Sequence, residues 1–211
     1  MRKALMVTVE VDPVRVESRL AAGELRCSAC PDGVLARWGF ARSRRVVGLA
    51  DPVRPRRSRC RGCAVTHVLL PVSLLLRRAY AAELVWAVLK AKAAGVGHRR
   101  IAVAAGIPAC TVRRWLRVMG RRVEAVRGWF LGVAVIAGVD VSVPAATGTG
   151  IGDVLAAVGV ARAAIVSRFG SGSMLGAVTA VGVAVACSGA QLLAPGWPPA
   201  SGWVGPTPVA L

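Results

Sequence analysis

The chain has 211 residues and 55% hydrophobic content, enough for one medium domain or two small ones with a packed core, which excludes wholesale disorder. The formal net charge of +18 is spread unevenly: residues 1–127 hold 26 Lys and Arg against 8 Asp and Glu, whereas residues 128–211 hold 2 against 2. A basic front of this density points to a polyanion, nucleic acid ahead of an anionic membrane surface.

Arginine dominates, with Lys3, Lys90 and Lys92 the only lysines. GC-rich coding would produce the same bias, so the charge carries more of the argument than the residue type. In the N-terminal MRKALMVTVEVDPV, Glu10 and Asp12 interrupt any apolar run and no small-residue cleavage site follows, so no signal peptide is expected. Six cysteines without an export signal predict a reducing compartment, where cysteine pairs bind metal or are simply buried.

Residues 1–22 form a lead-in that alternates weakly through Val7, Val9 and Val11, as an edge strand or a short helix would. Over residues 23–72 the sequence predicts a small β zinc ribbon. Cys27 and Cys30 make one C-x2-C pair, and after 29 intervening residues Cys60 and Cys63 make another. Each pair can sit on a tight turn so that its thiolates converge, and two such turns complete a tetrahedral sulfur site for Zn2+.

Between the pairs, Val34 to Phe40 and Arg44 to Leu49 read as β-prone runs of a hairpin. Asp51-Pro52 turns the chain into a third run, Val53 to Arg59, which Pro55 confines to a sheet edge. Val65 to Leu70 closes the ribbon before Pro71. A ribbon this small would draw most of its folding energy from the metal. A redox dithiol would normally follow a strand in a βαβ setting, and structural disulfides need export, so both rank below metal. Four sulfurs already fill a site, which leaves His67 as strand surface or packing. Cys187 reads as an ordinary buried cysteine, and Cys110 stands alone.

From Arg77 the period becomes helical, with Tyr80, Leu84, Val85, Val88 and Leu89 recurring up to Ala94 before Gly95 and Gly97. Residues 77–120 are expected to form a trihelical helix-turn-helix unit. A short helix from Arg99 turns Ile101, Ala102 and Ala105 inward, Gly106 breaks it, and Pro108 opens the next. There Val112, Trp115, Leu116 and Met119 make one buried stripe. Thr111, Arg113, Arg114 and Arg117 are left outward, a face suited to a DNA groove. Arg99 and Arg100, near the start of the preceding helix, are expected on backbone phosphate.

CSAC, ARWGFARSRR, RPRRSRCRGCAVTHVLLP and GHRRIAVAAGIPACTVRRWLR, spread from Cys27 to Arg117, resemble the zinc-ribbon plus helix-turn-helix region of insertion-sequence transposases. They look most like short transposase-like helix-turn-helix proteins of actinobacteria. The resemblance covers a little under half of the chain and implies that ribbon and trihelical unit bind DNA ends. One departure is Cys110, where the family pattern more often has a serine whose hydroxyl would cap the helix start.

Residues 121–194 read as an Ala/Val-rich helical region, with a loop from Ala145 to Gly150. Within it Ser173 to Ala194 is an uncharged stretch of 22 residues, long enough to span a bilayer. Its Ala, Gly and Val content, with few leucines, favours buried helices over membrane insertion. Residues 195–211, rich in Pro and Gly, read as a loose tail. After the basic unit the only carboxylates are Glu124, Asp140 and Asp153, each readable as a surface residue or loop cap, and the stretch after Arg127 is short for a nuclease domain that holds two metal ions on a carboxylate triad. His67 and His98 offer no Ser-His pair, so no catalysis is expected.

The sequence thus predicts an α+β fold: a small β zinc ribbon, a trihelical unit and an Ala/Val-rich helical C-terminal half. The expected function is non-catalytic, sequence-specific binding of double-stranded DNA in the cytoplasm, associated with the nucleoid, with no small-molecule substrate. Homodimerisation is left open. The alternatives are a membrane-anchored cytosolic DNA-binding regulator with a C-terminal transmembrane segment and, behind it, a CxxC thiol oxidoreductase.

Overall fold

A computed structural model describes residues 5–138, 141–173 and 176–199. In chain order its elements are β1 (Leu5–Val9), α1 (Pro13–Ala22), β2 (Leu35–Phe40), β3 (Arg56–Cys60), β4 (Thr66–Pro71), α2 (Ala82–Ala93), α3 (His98–Ala105), α4 (Ala109–Gly120), α5 (Val123–Ala137), α6 (Gly150–Phe169), β5 (Gly172–Ser173), β6 (Gly176–Ala177) and α7 (Ala180–Cys187). The fold is mixed α+β, as the sequence predicts.

The lead-in supplies both of the elements its pattern allowed. β1 joins a four-stranded sheet of order β1-β4-β3-β2, running parallel to β4 while the other neighbours are antiparallel. Asp12 caps α1 by accepting from the Val14 N–H at 2.8 Å, and Pro13 opens the helix with its φ already set. α1 then lays Val16 and Leu20 on the sheet, where they meet Val9, Leu25, Leu35 and Leu69 in a small core that includes Cys27 and Cys60.

Two strand expectations are corrected. Arg44 to Leu49 is not a strand: it is held by isolated bridges, Arg44 to Val53 and Val47 to Tyr80. β2 instead pairs directly with β3, Leu35 lying opposite Cys60. The reason is tertiary, because Val46, 3% exposed, is drawn into the core of the helices, which pulls its run away from the sheet. Nor is the third run an edge, since β3 lies between β4 and β2. Pro55 precedes the first strand residue, Arg56, so its missing N–H removes no ladder bond.

The larger core belongs to α2 through α7. α2 begins at Ala82 rather than Arg77, because Arg77 lies in a turn at φ 56 and Tyr80 and Ala81 are held in bridges to Val47 and Leu74. α5 contributes Phe130, Val133, Ala134 and Ala137, and α6 contributes Val154, Ala157, Val158, Ala161 and Ile165. The alanines let the two helices approach closely. Thr149 caps α6 by accepting from the Gly152 N–H at 3.1 Å.

The uncharged stretch from Ser173 to Ala194 is not one span. Its longest helix is α7, of 8 residues, flanked by the β5–β6 hairpin and by turns. The described helix long and apolar enough to cross a membrane is α6, with a mean hydropathy of 1.6 and a third of its apolar window buried. The start of the expected loose tail packs down. Trp197 is 4% exposed and meets Trp129 edge-on with ring centroids 5.6 Å apart. Residues 200–211 lie outside the described residues.

Candidate metal centre and nucleic-acid interface

Cys27 and Cys30 sit on the turn before β2, Cys60 ends β3, and Cys63 follows on the turn into β4. Pairing of Leu35 with Cys60 carries the first turn over the second, and all four Sγ atoms lie within 4.8 Å of one another. Cys27–Cys63 and Cys30–Cys60 are each 3.6 Å apart. A tetrahedral ion with metal–sulfur bonds of about 2.3 Å requires edges of about 3.7 Å, close to these values. A disulfide, at about 2.05 Å, does not fit them, and all four cysteines are free.

The backbone is shaped to the sulfurs. Ala29 N–H donates to Cys27 Sγ at 3.3 Å and Cys63 N–H to Cys60 Sγ at 3.4 Å. Gly33 comes closest: a Cβ there would stand 2.4 Å from Cys30 Sγ and 2.5 Å from Cys60 Sγ. Only a residue without a side chain lets this turn close over the cluster. Four thiolates in such a cradle suit a soft or borderline cation.

Without an ion the four thiols compete for charge. Cys30 is pushed up to about 12, first by the neighbouring sulfurs of Cys60 and Cys63. Burial raises Cys27. Burial also acts upward on Cys60, but the backbone N–H groups of Cys63 and Gly62 outweigh it and hold that thiol near 7. Filling the site with a cation would expel the thiol protons.

Of the two sequence readings of His67, strand surface or packing, the structure has packing, with a sulfur as neighbour. The residue is 0% exposed, on β4, with Nε2 3.2 Å from Cys27 Sγ. A thiolate only accepts, so with Cys27 ionised Nε2 carries the proton and donates it. Nδ1 has no partner among the described residues, and neither has the hydroxyl of Ser58, the residue directly opposite on β3. Burial holds the imidazole pKa below its ordinary value. The sequence contained a signal for it, a histidine four residues after Cys63, and likewise for Gly33, three after Cys30.

The predicted nucleic-acid residues lie on α3 and α4. Gly106, at φ 62, ends α3 in the left-handed region and lets the chain turn through Ile107 into α4. In α4, Val112, Trp115 and Met119 are buried, and Trp115 meets Tyr80 edge-on at 4.9 Å. Arg113, Arg114 and Arg117 are exposed and Thr111 is half-buried beside them. Arg99 and Arg100 are exposed in the first turn of α3. No acidic residue occurs between Glu83 and Glu124, and among the described residues no ion pair engages these arginines. Pro108 occupies the cap position of α4 without a side-chain bond, so Cys110 is the second helical residue rather than its cap.

Two further arginines stand close by. Arg78 donates to Leu193 O, and Arg122 donates to Trp197 O and, at 2.6 Å, to Ala194 O. The Arg78 pKa is lowered first by burial and then by the charges of Arg114 and Arg122. Three guanidiniums thus share a neighbourhood, and among the described residues no ion pair engages them. Glu124 lies 3.9 Å from Arg127, and Asp153 accepts from Thr147 N–H at 2.7 Å. Asp140 falls outside the described residues.

No protein-family model matches the chain, and comparison with curated proteins and with solved structures gives no match.

Proposed function

We propose that the chain is a non-catalytic, sequence-specific binder of double-stranded DNA of transposase-like type, acting in the cytoplasm with a structural Zn2+ on Cys27, Cys30, Cys60 and Cys63. The observation that supports it most is α4, with Arg113, Arg114 and Arg117 exposed opposite buried Val112, Trp115 and Met119. Used as the second helix of a helix-turn-helix, α4 enters the major groove and offers Thr111 and these arginines to base edges. Arg99 and Arg100 take backbone phosphate, which sets register without reading sequence. The donor set supports zinc: four sulfurs within 4.8 Å of one another, two pairs of them 3.6 Å apart, would make a closed site that staples the sheet and leaves no open position for chemistry.

Titration of labelled duplex DNA against salt tests the reading. Neutralising 6–10 phosphates gives a log–log slope of about −5 to −9, and a slope near zero would sink it. Arg113→Ala with Arg117→Ala is expected to flatten preference among sequences selected from genomic DNA. Metal analysis should give one zinc per chain and a marked loss in Cys60→Ser; equal zinc in both would defeat the assignment.

One observation favours a second reading. The length and hydropathy of α6 suit a membrane-anchored DNA-binding regulator. Expressed protein that needs detergent to leave the membrane fraction would support it, and wholly soluble protein would remove it.

A further inference from the structure

The sheet has a second arginine-rich surface that α3 and α4 do not use. Along β3, Ser58 and Cys60 point to the core under α1, so Arg57 and Arg59 lie on the opposite face. Cross-strand register adds Ala36 from β2 and Thr66 and Val68 from β4 to that face. Its far end, at Leu70, is buried in the helical core, while the end at Arg59 is open.

Trp38 stands at this open end. The β2–β3 register shifts between Arg37 and Gly39, so Trp38 falls on a bulge, a device that re-aims a side chain. The indole is 53% exposed, and the Arg59 guanidinium lies 4.8 Å from its ring centroid. Arg59 is itself steadied by donating to Ala64 O at 3.3 Å. Phe40, by contrast, pairs with Arg56 on the α1 face, and Arg56 is tied to Glu17 at 2.7 Å, so packing accounts for that ring. Two guanidiniums, Arg54 and Arg56, lie over Phe40, whereas among the described residues Trp38 carries Arg59 alone, and Arg59 makes no ion pair.

We propose that this open face, centred on Trp38, Arg57 and Arg59, binds single-stranded DNA, with an unpaired base stacked on the indole and the guanidiniums meeting the flanking phosphates. Charge complementarity selects the occupant: Arg54, Arg56, Arg57, Arg59 and Arg61 follow one another without an intervening acid. The ring selects the strandedness, because a base shows its flat face to an aromatic only when unpaired, whereas a duplex offers edges and phosphates. The inference rests on the DNA-binding reading above only for the choice of polymer.

The test compares a fluorescent ten-nucleotide thymidine tract with a ten-nucleotide tract of abasic sites carrying the same phosphates. The full chain is expected to bind the thymidine tract about 5- to 100-fold more tightly. Trp38→Ala should erase that advantage and Trp38→Phe should keep part of it, with zinc content and far-UV circular dichroism unchanged. Equal affinities in the wild-type chain, which need no variant, would overturn the proposal, as would a thymidine advantage that survives Trp38→Ala. Tighter binding to a uridine tract would overturn the choice of DNA. A blunt duplex titrated in parallel reads α4 separately: no duplex binding alongside an intact thymidine advantage would sink the helix-turn-helix reading and leave this one supported.

Discussion

Gly33 contributes no ligand, yet its missing side chain is what lets the turn close over the sulfurs. A methyl group there would enter the space of two sulfurs, so Gly33→Ala is expected to weaken metal binding at least tenfold. Competition with a chromophoric chelator measures this directly. His67 acts on the same centre from the opposite side. Removing its N–H in His67→Phe should lower metal affinity about 10- to 100-fold, the usual cost of losing a partner that orients a ligand. His67→Gln, which keeps a donor, should recover part of it. Unchanged affinity in His67→Phe would return the residue to packing alone.

The same histidine sets a sign for pH. Burial lowers its pKa on folding from 6.5, so the unfolded chain binds that proton more readily. The neutral imidazole therefore stabilises the fold above about pH 6.5, and the benefit is lost as pH falls below it. Protons competing for the four thiolates act in the same direction. Because His67→Phe removes only the first contribution, its unfolding free energy should depend less steeply on pH on the acid side than that of the wild-type chain.

At the scale of elements, the joint between α3 and α4 is the most exacting. Gly106 sits at φ 62, so Gly106→Ala is expected to cost ~1 kcal/mol. That corresponds to a drop of about 2–4 °C in Tm for a chain of this size, measurable by thermal denaturation. In duplex titrations, Arg99→Ala and Arg100→Ala should each weaken binding alike across sequences and reduce the salt slope by about 1. α3 and α4 were legible in the sequence because their buried stripes recur within a few residues and a glycine and a proline mark the corner. The cysteine cluster was legible for a similar reason, each pair being local. Arg44 to Leu49 was not, since β-propensity is a local quantity and the core that claims Val46 is built from residues far along the chain. In the uncharged stretch after Ser173, composition pointed to buried helix, which α7 is, but hydropathy registers the absence of charge and not the hairpin and turns that divide the stretch. For His67 the sulfur neighbour was not foreseen, because counting four sulfurs closes the ligand set without asking what orients it.

At the scale of the whole molecule, two hydrophobic cores meet across the sheet: the small one under α1 contains sulfur ligands, and the large one is built mainly on α2 to α7. Chelation should therefore uncouple them. Removing the metal is expected to release the amide protons of β1 to β4 to hydrogen exchange while those of α5 and α6 stay protected, and uniform loss of protection would contradict the division. Trp197 tests the large core from its far end. Trp197→Ala should cost about 3–5 kcal/mol and leave zinc content unchanged.

The two cores also differ in when they can exist. Every residue of the small core precedes Val72, whereas the large one waits for Leu192, Leu193 and Trp197. During synthesis the first can close around its ion while the ribosome is still making the helices, since N-terminal units fold first. The basic helices emerge next, packed on one another and on α2, and gain α6 and the last apolar turns only later. A translation intermediate stalled after α4 would thus carry a finished metal unit and an exposed cationic segment, the interval in which this chain is most open to capture by any polyanion nearby.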